Sequence, residues 1–125
     1  MNTATDAASS GRGAIAELPA PVRRMVGRLY RVFQAERVLL FGSYARGTPT
    51  PRSDIDLLAI LPDDVRLEEA TRRHGQLTAG LFPAVDLVLT TRRELAEARG
   101  ERAAFLRSVL EHGIEQRGEP GGAAP

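Results

Sequence analysis

The stretch LLFGSYARGTPTPRSDIDLLAIL spans residues 39–61. An apolar run stops at Gly42-Ser43. A second begins with Asp54 and Asp56 on either side of one isoleucine. Gly47, Pro49 and Pro51 allow no more than about a turn of helix after Ser43. The stretch therefore reads as strand, tight turn, broken helical turn and strand. Side chains alternate across a strand, so Asp54 and Asp56 point to one face, a few ångströms apart. Two carboxylates that close repel each other, and burial would penalise each charge further. Something must offset that cost.

Outward from this stretch, helical and strand patterns alternate. Pro19 and Pro21 open a helix with Val22, Met25, Val26, Leu29 and Phe33 on one face. Residues 37–41 form the first strand and 54–61 the second, which Pro62 ends. Residues 63–81 read as a helix with Leu67, Ala70, Leu77 and Leu81 inward, and with Glu68–Arg72 and Glu69–Arg73 as outer i,i+4 pairs. Residues 84–89, AVDLVL, are a third strand with its own embedded acid, Asp86. Thr91 and Glu94 have capping-box spacing. A last helical stretch carries Phe105, Leu106, Val109, Leu110 and, past Gly113, Ile114. The expected architecture is α/β, a small mixed sheet with helices packed on it. The domain is expected over residues 15–117, between small-residue tails at 1–14 and 118–125 that are expected to be disordered.

Composition limits the function classes. Apolar residues make up 42% of the 125-residue chain and charged residues 26%, as in soluble globular proteins. No apolar run approaches a membrane span, and the first residues lack a secretory h-region, so the cytoplasm is the expected compartment. The absence of cysteine excludes thiolate chemistry. All 17 basic residues are arginine, which excludes a lysine nucleophile or phosphate ligand. Net charge is only +1, giving little basis for direct nucleic-acid binding.

A divalent cation most simply offsets the repulsion of Asp54 and Asp56, because hard oxygen ligands suit Mg²⁺ together with substrate phosphates. If strand 84–89 lies beside strand 54–61, Asp86 joins their face. Three carboxylates can then hold two metal ions for an in-line phosphoryl transfer. Gly42 lets the backbone approach an anion closely, free N–H groups follow it, and the Ser43 hydroxyl can donate to a phosphate oxygen. A phosphate grip beside a metal seat is a site for a nucleoside triphosphate.

Gly42-Ser43, ten residues, then Asp54-Ile55-Asp56 resembles the signature of the minimal nucleotidyltransferase domains of the DNA polymerase β-like nucleotidyltransferase superfamily. FGSYARG, SDID, VDLV and EHGIEQ follow in the family's order, over about residues 20–117. The resemblance implies the polymerase β-like nucleotidyltransferase fold. It implies that Gly42 and Ser43 bind the triphosphate, that Asp54 and Asp56 coordinate two Mg²⁺ ions, and that Asp86 ligates the catalytic metal and helps deprotonate the acceptor. It also implies that Arg46 neutralises phosphate charge. The implied reaction moves a nucleoside monophosphate, AMP from ATP, to a hydroxyl and releases pyrophosphate. Small members of the family resemble antitoxins that modify a tyrosine of a HEPN-domain ribonuclease toxin. A chain of this size is expected to lack a separate acceptor-holding domain, which points to a protein acceptor. A small-molecule or nucleic-acid hydroxyl is the alternative acceptor, and a non-catalytic module that blocks its partner by occupancy is the alternative function.

Several residues have plainer readings. Ser43 can be an ordinary helix N-cap. Asp86 can be a capping or edge-strand acid. Arg23, Arg24, Arg28 and Arg31 form a basic helix surface. His74 falls among inward positions as a core or boundary residue, and His112 suits the C-terminus of a helix. Tyr30 and Tyr44 read as packing residues, and no aromatic pair evident in the sequence forms a nucleobase pocket.

Overall fold

A computed structural model describes residues 18–117. The expected tails at 1–14 and 118–125 lie outside the described residues, as does the expected domain start at 15. The elements in chain order are α1 (Ala20–Arg31), β1 (Arg37–Phe41), α2 (Gly42–Arg46), β2 (Ile55–Leu61), α3 (Leu67–Thr78), β3 (Val85–Thr91), α4 (Arg92–Glu97), α5 (Gly100–His112) and β4 (Ile114–Glu115).

The four strands form one mixed sheet in the order β3-β2-β1-β4. β1 is antiparallel to β2 and to β4, whereas β2 and β3 run parallel, joined by the α3 crossover. Central β2 is buried at every position except Asp56, which explains why its sequence reads as an almost continuous apolar run.

Alternation along the strands builds two cores. On one face Val38, Leu40, Ile55, Leu57, Ala59, Leu87 and Leu89 pack against α1 and α3 through Val22, Met25, Val26, Leu29 and Ala70. On the other, Leu39, Leu58 and Ile60 pack against Leu106 and Val109 of α5, with Phe41, Val88, Leu95 and Phe105 at the margin. Each fully buried leucine stabilises this arrangement by about 1.5–3 kcal/mol.

Several expectations change in detail. The 63–81 helix shortens to Leu67–Thr78. Pro62 and the residues after it form a turn, in which the Asp63 Oδ1 accepts the Arg93 N–H at 2.7 Å. Arg73 lies 5.2 Å from the centre of the Phe33 ring. The 84–89 strand becomes Val85–Thr91. The last helical stretch divides into α4 and α5, and Ile114 belongs to β4, opposite Leu40, not to a helix. Thr91 does cap α4 by accepting the Glu94 N–H. The Glu94 carboxylate does not complete a capping box: it accepts from the Thr90 hydroxyl and from Arg102. Tyr30 is more than packing, since its hydroxyl accepts the Val38 N–H and donates to the Gln116 carbonyl, tying α1 to β1 and to the segment after β4. No helix among the described residues is long and apolar enough to cross a membrane.

Candidate active site

Strand register sets the site. Phe41 pairs with Asp56 across the antiparallel β1–β2 ladder, and Asp56 pairs with Asp86 across the parallel β2–β3 ladder. Phe41, Asp56 and Asp86 thus form one row across three strands. Alternation puts that row on the α5 side of the sheet. The next row inward on this face is Leu39, Leu58 and Val88, the floor beneath α5. The acids therefore lie at the end of the face that α5 leaves open.

β2 begins at Ile55, so Asp54 precedes the strand it was expected to open. Asp54 and Asp86 are exposed and only Asp56 is half-buried. The burial penalty anticipated for the pair thus falls mainly on one carboxylate. Burial pushes the Asp56 carboxyl above the usual range; the charges of Asp86 and Asp54 push it the same way, and Arg46 opposes them. Asp54, Asp86 and Arg46 are therefore each close enough to act on Asp56 electrostatically.

Gly42 supplies the adjoining wall. It has φ +78°, the left-handed region that favours glycine. A Cβ at this position would come within 2.1 Å of the Asp56 Oδ2. Backbone and carboxylate thus meet with no room for a side chain between them. α2 follows directly, with Phe41 at its N-cap and no side chain capping it. Ser43 is therefore one residue inside the helix and is not its N-cap, correcting the plainer reading of this residue. Arg46, exposed, ends the same turn, and Gly47 closes it in the left-handed conformation.

The donor set fits a hard divalent cation in its chemistry: carboxylate oxygens on adjoining positions, with the charges of Asp54 and Asp86 raising the proton affinity of Asp56 and only Arg46 opposing them. The side chains are not closed into a cage. Among the described residues no three acidic or imidazole groups stand together in an arrangement that could hold a metal ion.

The structure also pairs two aromatics that sequence inspection did not connect. Phe41, in the acid row, meets Phe105 of α5 edge-to-face, with ring centres 5.4 Å apart. They stand 64 residues apart (105 minus 41), so only the packing of α5 on β1 brings them together.

The sequence matches the nucleotidyltransferase domain family over residues 22–115. No curated protein sequence matches the chain. A crystal structure of a Sulfolobus solfataricus protein assigned as a nucleotidyltransferase aligns with a TM-score of 0.50 and 21% identity, covering 70% of this chain and 78% of that one. That likeness is one of fold. A toxin–antitoxin structure with AMP-PNP aligns with a TM-score of 0.46 and 24% identity, covering 81% of this chain and 77% of that one.

Proposed function

The chain belongs to the nucleotidyltransferase domain family, and from that premise we propose that it transfers AMP from ATP to a hydroxyl of a protein partner, using Mg²⁺. The observation that best supports this reading is the row of Asp56 and Asp86 abutting Gly42, with Arg46 close enough to act on Asp56. Asp54, Asp56 and Asp86 would hold two Mg²⁺ ions, which when bound neutralise charge on the transferring phosphoryl group and the leaving pyrophosphate.

The remaining roles fall to this chain's own residues. The Gly42 backbone and the Ser43 hydroxyl receive the triphosphate, and Arg46 adds positive charge beside it. Asp86, exposed at the outer strand, takes the proton of the acceptor hydroxyl. That oxygen bonds to the α-phosphorus while the bond from the α-phosphorus to the oxygen bridging toward the β-phosphorus breaks. Pyrophosphate leaves with the electron pair.

For the acceptor, resemblance to small antitoxin members of the family favours a tyrosine of a HEPN ribonuclease toxin, with this chain as the antitoxin. The test uses the protein encoded beside this one as acceptor, with Mg²⁺ and ATP labelled at either the α- or the γ-phosphate. Label from the α-position should appear on a tyrosine of the partner and be lost with Asp54→Asn/Asp56→Asn. Transfer of the γ-label instead, or neutralisation of the partner by the double variant as well as by wild type, contradicts the proposal.

A further inference from the structure

Next to the acid row, between α2 and the C-terminal half of α5, lies a cavity of about 340 Å³. That volume is within the range of small-molecule sites. Its lining includes Gly42 and Arg46, both in the proposed triphosphate grip, and Phe41, Phe105, Ser108 and His112 beyond them. Gly113 lets α5 end this close to the sheet: a Cβ there would lie 2.6 Å from the Val109 carbonyl oxygen and 3.2 Å from the Leu39 Cβ.

We propose that this cavity is the nucleoside pocket of the site and that it prefers adenine to guanine. The proposal rests on the nucleotidyltransferase reading above and adds where the base sits and which side chains of this chain read it. Three observations orient the nucleotide. The cavity shares its Gly42–Arg46 side with the acid row, so a triphosphate held there directs its nucleoside toward α5. The far side is the C-terminus of a 13-residue helix, whose negative dipole end opposes a phosphate and suits an uncharged base. The apolar wall is the Phe41–Phe105 pair, both of which line the cavity; in an edge-to-face pair the ring presenting its edge does not spend its own faces on that contact.

Selection comes from His112. Its Nδ1 is 3.2 Å from the Ser108 carbonyl oxygen. A carbonyl only accepts, so in that hydrogen bond Nδ1 carries the proton. In the uncharged ring Nε2 is then an acceptor, available to the cavity that His112 lines. An acceptor complements the exocyclic amino group of adenine and is repelled by the O6 of guanine.

The test is equilibrium binding of ATP, GTP and inorganic tripolyphosphate, each with Mg²⁺, to wild type, Phe105→Ala and Ser108→Trp. Ser108 is exposed, so its replacement fills the mouth of the cavity even if Phe105→Ala fails to fold. Wild type should bind ATP more tightly than GTP or tripolyphosphate. Each folded variant should weaken ATP roughly ten- to hundredfold, the scale of one lost base–aromatic contact, and leave tripolyphosphate unchanged. If GTP binds as tightly as ATP, if the variants leave ATP untouched, or if they weaken tripolyphosphate equally, the nucleoside pocket is overturned while the phosphate and metal reading stands. If wild type binds neither ATP nor tripolyphosphate, that underlying reading falls with it.

Discussion

The two faces of this sheet are built from the same strands and finished differently. On the α1–α3 face, apolar rows run from the start of β2 as far as Ala59: Ile55 with Val85, Leu57 with Leu40 and Leu87, Ala59 with Val38 and Leu89. On the α5 face, the row of Leu39, Leu58 and Val88 is followed by one of Phe41, Asp56 and Asp86. A strand alternates strictly, so a single segment, IDLL, can give one face entirely to stability and the other partly to charge. The acids cost little stability because two of the three are exposed. The sealed face holds the backbone on which the open face depends.

The contrast is most easily broken at two adjacent residues. Leu57→Ala, at a position with no exposure, should lower stability by about 2–5 kcal/mol in denaturant titration. Asp56→Asn should leave the melting temperature unchanged or raise it. Burial and the neighbouring acids hold the Asp56 carboxyl above its ordinary range, so the folded state favours its uncharged form and loses stability as pH rises through that range. The same variant should reduce nucleotidyl transfer by roughly 10³-fold, the scale of a lost electrostatic stabiliser. A destabilised, active Asp56→Asn protein would reverse the assignment of the two faces.

Gly42 lies at the junction and should show both effects. Gly42→Ala forces a left-handed backbone on a residue with a Cβ, at about 1–2 kcal/mol, and drives that Cβ into the Asp56 carboxylate. Chemical denaturation and a transfer assay should both register the change. Full activity in Gly42→Ala would mean that the close approach to Asp56 is unimportant.

The smallest effect belongs to Glu94, at the end of the α5 face away from the acids. Its hydrogen bonds from Arg102, the largest cause, and from Thr90 hold its carboxyl below the usual range. The stability it contributes is present at neutral pH and lost as pH falls through the folded-state range. Glu94 is partly exposed, so Glu94→Gln should cost no more than about 1 kcal/mol at neutral pH, with the difference from wild type closing in acid. A gap that stays constant with pH would indicate packing as the cause.

How far the sequence could be read follows from how local each feature is. Gly42-Ser43 and Asp54-Ile55-Asp56 lie within one short stretch, and their turn and strand patterns are local. Asp86 could be placed only conditionally, because its approach depends on β3 lying parallel beside β2, and sheet order is not a local property. The Phe41–Phe105 pair and the cavity beyond it were illegible for the same reason: they depend on how α5 packs against β1, two elements far apart in the sequence. Ile114 was misread because its apolar side chain fits the α5 periodicity, whereas its backbone pairs with Leu40. The start of α3 was overdrawn because Asp63, which looks like a first-turn acid, accepts a hydrogen bond from Arg93 at the start of α4, and its end because Ala79 is extended and Gly80 left-handed.

In the proposed function, Asp54, Asp56 and Asp86 form a divalent-cation site for a nucleoside triphosphate. Calorimetric titration of ATP with and without Mg²⁺, into wild type and into Asp54→Asn/Asp56→Asn, tests it most directly. Mg²⁺ should strengthen ATP binding markedly in wild type and have almost no effect in the double variant, with both proteins folded. Equal strengthening by Mg²⁺ in the two proteins would contradict the account.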